Sequence, residues 1–158
     1  MIYCDMDGVL AKWNTSASLE DTYEPGYFRE READESALRL IRLLVEHGCP
    51  VTILSSAYVE GTARKDKRDW LIANGLGDLP YVFVPYGKPK GDYIEEKGVL
   101  LDDFSHNLHD WEQTPGMVGV KYYNGINGTK GSWTGYSVDH RMPPEKMYVV
   151  VSAVANSL

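Results

Sequence analysis

The 158-residue sequence has only two cysteines, Cys4 and Cys49, too few for the disulfide framework of a small secreted fold. They fall at the end of one predicted strand and just before the start of another, about 10 Å apart along a parallel pair, so free thiols in a reducing compartment are expected. No apolar stretch approaches the roughly 18 residues of a membrane span. Asp5 leaves no room for a signal peptide, so a cytoplasmic protein with no membrane partner is expected. Basic residues are in deficit, with 16 Lys and Arg against 23 Asp and Glu and a net charge of -7. That balance opposes passive binding to nucleic acid or acidic lipid, and stable nucleic-acid binding is not expected. Any anion the chain handles needs a local positive site. Internal repeats and low-complexity tracts are also absent, which leaves a single domain over 1–158, long enough to bury a core unaided.

Alternating strands and helices are what the chain does have. A first apolar run over about 1–5 predicts a strand. Residues 11–33 are rich in Glu, Tyr, Ser and Trp, break at Pro25-Gly26 and show no sustained period, which predicts an irregular insertion within 11–35. Leu38, Ile41, Leu44 and Val45 line one face of a helix over 36–47, with Asp34 or Ser36 as cap and Gly48 as stop. The runs 50–54, 81–84, 99–101 and 118–122 read as further strands. A basic helix over 62–74, a short helix over 90–96 and a last helix opened by Pro143-Pro144 separate or follow them, and a Gly- and Asn-rich loop spans 124–135. Strand-helix alternation with short links predicts a mainly parallel sheet in a doubly wound α/β fold, with 123–158 forming a loop plus C-terminal helix.

The N-terminal strand runs directly into Asp5-Met6-Asp7-Gly8-Val9. Acids at i and i+2 share a side of the pleat, and a turn after the first lets them take different directions; Gly8 permits that turn. A polar strand end with solvated acids is the plain alternative. A calcium loop is excluded, because with Asp5 at position one Gly8 falls at four and Ser16 at twelve, where that loop needs Gly at six and Glu at twelve. In a doubly wound fold ligands collect at the carboxyl ends of the strands. Asp5 and Asp7, Ser55 and Ser56, Lys88 or Lys90, and Asp102 and Asp103 stand at four consecutive such ends. Acid, hydroxyl, lysine and acid in that order form a specific arrangement.

These residues resemble the haloacid dehalogenase superfamily, most of whose members are magnesium-dependent phosphohydrolases. The first motif is matched by Asp5-Met6-Asp7-Gly8-Val9, the second by Val51-Thr52-Ile53-Leu54 with Ser55, the third by a lysine near Lys90 and the fourth by Leu100-Leu101-Asp102-Asp103. The resemblance covers residues 1 to about 122 and is greatest to the 5'(3')-deoxyribonucleotidase-like branch, from which the Asn124–Trp133 loop departs. It implies a Rossmann-like sheet with a small cap insertion after the first strand. It also implies that Asp5 is the nucleophile of an aspartyl-phosphate mechanism and that Asp7 is the general acid and base. Ser55 would hydrogen-bond the substrate phosphate with Ser56 as second donor, an ordinary helix cap being the lesser alternative for Ser56. Lys90, with Lys88 as competitor, would neutralise the phosphate. Asp5, Asp7 and Asp102 would hold Mg2+, with Asp103 as support or an alternative ligand. Asp7 argues against dehalogenase chemistry, because members with that activity lack the second acid.

The charges are consistent with this. Two carboxylates, a magnesium ion and Lys90 leave a single net positive charge, attractive to a phosphate dianion. The expected substrate is a small phosphate monoester, a nucleotide first among them, hydrolysed by a nucleotidase-type phosphatase. Another metabolite, a polynucleotide phosphate end, or a catalytically silent phosphate-binding module are the alternatives. Trp13, Tyr23, Tyr27 and Phe28 in the insertion either stack on a nucleobase or pack against the core. His106 and His109 lack an obvious third metal ligand and read as surface or capping residues. The run Arg64-Lys65-Asp66-Lys67-Arg68 reads as a solvated helix face or a steering patch. An insertion of about 22 residues is too short for a large closing lid, so a fairly open site is expected.

Overall fold

The computed structural model describes residues 1–129 and 131–158. Six strands form one sheet, β1 (Ile2–Cys4), β2 (Val51–Ala57), β3 (Tyr81–Pro85), β4 (Val99–Asp102), β5 (Val118–Tyr123) and β6 (Tyr136–Asp139), in the order β3-β2-β1-β4-β5-β6. Every pairing is parallel. The helices are α1 (Glu35–Glu46), α2 (Ala63–Ala73), α3 (Ser105–Trp111) and α4 (Pro144–Asn156). This is a Rossmann-like doubly wound α/β fold, consistent with a haloacid dehalogenase-like one.

The strands read as continuous apolar runs because both faces of the sheet are covered, and their period of two sorts the side chains between two cores. Ile2 and Cys4, Val51 and Ile53, and Val99 and Leu101 pack on the side of α1, α2 and α4 with Leu38, Ile41, Trp70 and Val151. Tyr3, Leu54 and Leu100 pack on the other side with Leu108 and Trp111 of α3. Asp34 caps α1, its Oδ1 accepting from Ala37 N at 3.1 Å, while its Oδ2 accepts from the Tyr122 hydroxyl at 2.8 Å.

Four expectations are revised. β2 continues through Ser55, Ser56 and Ala57, because β3 pairs with those residues. The helix expected over 90–96 is one 3-10 turn, Lys90–Tyr93. The region after 123 contains β6 as well as a loop and helix, and α3 follows β4. Both cysteines are free, as the sequence leads one to expect, with Cys4 fully buried. Among the described residues no helix is long and apolar enough to cross a membrane.

The insertion after β1 has one 3-10 turn, Glu20–Tyr23, and is fastened to α2. The buried Asp66 carboxylate accepts from Gly26 N at 2.8 Å, and Trp70 Nε1 donates to Arg31 O at 2.8 Å.

Candidate active site

A cleft of about 1080 Å³ opens over the carboxyl ends of the central strands. Asp5 lies directly beyond β1, where its backbone N–H donates to Leu101 O at 3.0 Å and aligns it with Asp102 on β4. Lys90 joins the two acids, its Nζ lying 3.0 Å from Asp5 Oδ1 and 2.7 Å from Asp102 Oδ2. All three are buried. Burial pushes the Asp5 carboxyl up to about 7; Lys90 opposes this, and Asp102 and Asp7 add to it. Burial alone would lower Lys90, but Asp102 and Asp5 raise it above the ordinary lysine value. Lys88 is exposed at the cleft wall, so Lys90 is the lysine that reaches the acids.

Asp102 is the most engaged of the acids. Its Oδ2 also accepts from Asn107 Nδ2 at 3.0 Å, and its Oδ1 from Phe104 N at 2.9 Å. Asp103 faces the cleft, and only its Oδ2 accepts a hydrogen bond among the described residues, from Asn127 Nδ2 at 2.6 Å. Burial raises the Asp103 carboxyl well above the usual range, with Asp102 and Asp5 adding to the effect. The 124–135 loop therefore supports the acids: Asn127 holds Asp103, and Asn124 Nδ2 donates to Gly8 O at 2.7 Å.

Asp5, Asp102 and Asp103 each offer a carboxylate oxygen within 4.8 Å of the others. Three hard oxygen donors this close suit a cation of the magnesium type, and such a charge would relieve the crowding of carboxylates that burial makes costly. With Asp102 already engaged, Asp5 and Asp103 have the freer oxygens. The Asp7 side chain, an expected ligand, is outside this cluster because Lys67 draws it away.

Lys67 is the residue that sequence reasoning missed. It lies on α2 inside the basic run, yet it is 1% exposed. Its Nζ meets Asp7 Oδ2 at 2.5 Å, Ser56 O at 2.6 Å and Ser55 Oγ at 3.0 Å, and it lies 4.5 Å from the Phe28 ring centroid. Ser55 is fully buried and does not line the cleft, whereas Ser56 does, because consecutive strand residues point to opposite faces. Ser55 thus supports Lys67, and Ser56 is the serine at the cleft wall. Trp13 and Tyr27 both line the cleft, with Phe28, Tyr58, Tyr86 and Phe104. His106 pairs with Asp110 at 3.3 Å and His109 packs on Trp133, away from the acid cluster.

No family model matches the chain, and no curated protein matches it. Among solved structures it is similar to a chain in the structure of a Pnkp1/Rnl/Hen1 complex, with a TM-score of 0.58 and 16% identity over 76% of this chain and 44% of that one. It is also similar to a chain of the Pnkp1/Rnl/Hen1 RNA repair complex, with a TM-score of 0.53 and 17% identity over 76% and 41% of the two chains. The chain spans less than half the length of either. What it shares with them is the parallel, doubly wound α/β fold.

Proposed function

We propose that the chain is a magnesium-dependent phosphohydrolase of small phosphate monoesters, working through an aspartyl-phosphate on Asp5, with a nucleoside monophosphate as the leading substrate and an activity of the 5'(3')-deoxyribonucleotidase type. The observation that carries this reading is the buried Lys90 held between Asp5 and Asp102 at the cleft floor. It orients the Asp5 carboxylate for attack and supplies positive charge where the phosphoryl group would sit. Asp7, at the wall in its ion pair with Lys67, would exchange a proton with the leaving oxygen and then with water. Asp5 and Asp103 would hold the cation, oriented by Asp102; when bound, it supplies charge that offsets the phosphate dianion. Four carboxylates and three buried lysines surround this end of the sheet, so a divalent cation turns the local balance positive within a chain of net charge -7. The aromatic lining favours a nucleobase on the leaving group.

The test is phosphate release from an aryl phosphate with and without magnesium, in the native protein and in Asp5→Asn. The substitution is expected to cost on the order of 10³-fold or more. Undiminished activity would overturn the mechanism, and no release from either protein would favour a silent phosphate-binding module. A panel of mononucleotides and sugar phosphates then ranks substrates. A second reading, the phosphate end of a polynucleotide, is favoured by a hollow of about 470 Å³ that continues the cleft past Phe28, Tyr58 and Tyr86. A kcat/KM for a phosphorylated oligonucleotide above that for any mononucleotide would select it.

A further inference from the structure

Three buried lysines line the cleft, and among the described residues one of them forms no ion pair. Lys67 pairs with Asp7, and Lys90 with Asp5 and Asp102. Lys121 is 1% exposed, yet among the described residues no carboxylate lies within 4.0 Å of it. Its Nζ donates to Ser105 Oγ at 2.5 Å and lies 5.2 Å from the Tyr123 ring centroid. An ammonium has three donors, and burying one with a single hydroxyl partner is costly unless something else pairs with it. Burial accordingly pulls this lysine below its ordinary value, against Asp103 and Asp102.

Its position gives that partner a place. Cys4 is aligned with Leu101 on β4, and Asp102 with Lys121 on β5, so Asp5, Asp102 and Lys121 stand in one row across the strand ends. Lys121 is two strands from Asp5, about 10 Å between backbones. The loop covering this end comes close because Gly128 is a glycine at φ +67°: a Cβ there would lie 2.5 Å from Asp103 O and 3.6 Å from Lys121 Nζ. Lys121, Ser105 and Thr129 all line the cleft, whose volume is more than a bare monoester needs.

We propose that Lys121, with the Ser105 hydroxyl, is a second anion subsite that receives a further phosphate carried on the leaving portion of the substrate. This rests on the proposed reaction for the position of the first phosphate at Asp5. The preferred substrate class is then a bisphosphorylated nucleoside or a nucleotide bearing an internucleotide phosphate, not a simple monophosphate.

The test is calorimetric binding to the Asp5→Asn protein, which holds substrate without turnover. The probes are a nucleoside 3',5'-bisphosphate, its 5'-monophosphate and a 5'-phosphorylated dinucleotide, with magnesium present. The two probes that carry a second phosphate are expected to bind at least tenfold tighter than the monophosphate. Adding Lys121→Met should weaken them about tenfold to a hundredfold, the cost of losing a hydrogen bond to a charged group, while moving the monophosphate less than threefold. Lys121→Arg should restore the preference, and Ser105→Ala, a milder change, should cost a few-fold. Whichever two-phosphate probe binds tighter identifies the source of the second phosphate. Equal weakening of all three probes marks Lys121 as general support for the acids and overturns the subsite, as does no preference at all. A native protein that releases no phosphate, alongside an Asp5→Asn protein that keeps the preference, overturns the phosphatase reading and leaves the subsite standing.

Discussion

At Gly8 the backbone takes φ +85°, and an added Cβ would lie within van der Waals overlap of the Asp103 carboxylate. Gly8→Ala therefore strains the turn by about 1–2 kcal/mol and pushes Asp103 away from Asp5. A drop of more than tenfold in phosphate release, with a lower Tm, is the expected outcome. Lys67→Met frees Asp7 from the cleft wall and should cost kcat/KM about two orders of magnitude; a change under twofold would remove Lys67 from the site. Nothing in the run 64–68 marked Lys67 out, because its neighbours Lys65 and Asp69 form the exposed ion pair such runs predict. Only the docking of α2 beside Asp7 distinguishes it. Asp5, Asp102 and Asp103 stood out in the sequence because each ends or follows an apolar run, whereas Lys90 lies beyond the 86–89 link after β3, where Lys88 competed with it. Asp5 also sets a pH dependence. Its native value near 7 lies above its ordinary 3.8, so between those values the folded state binds more protons than the unfolded one. Stability of the metal-free protein is therefore expected to fall as pH rises through that window, and Asp5→Asn should flatten the slope in thermal melts with chelator present.

The insertion is anchored in part by α2 and in part by Tyr58 beyond β2. Asp66 accepts from Gly26 N and from Thr62 Oγ1 at 2.7 Å, so Asp66→Ala releases the segment that presents Trp13 and Tyr27. Faster proteolytic cleavage within residues 14–31, with a raised KM for aromatic substrates, is expected. Asp34→Ala tests a different element, removing both the α1 cap and the Tyr122 bond. A loss of about 2–3 kcal/mol in urea unfolding, with kcat unchanged, is the expected result. Long elements announced themselves: α1 carried its cap, its apolar face and Gly48 as stop. Short ones did not. β6 is four residues with only Val138 buried, and α3 is seven residues, both below the length at which periodicity separates from chance. The turn at Lys90–Tyr93 is also too short to read, since Ile94 packs on the core from extended backbone.

Across the whole molecule, the strand order gathers acids and lysines from residues 5 to 121 at one end of the sheet. Acids so concentrated weigh against the folded state even with lysines among them, and a cation relieves them. Magnesium at a hundredfold excess over its Kd is expected to add about 2.7 kcal/mol to stability, and Asp103→Asn should abolish most of that gain in melts. The sheet's outer strands have another consequence. β3 has five residues and ends at Pro85, which has no N–H to donate, and β6 has four. A neighbouring molecule thus finds too few free backbone groups on either flank to extend the sheet. Despite a parallel fold whose interior strands are almost wholly apolar, the native protein is protected against the edge-to-edge stacking from which fibrils grow.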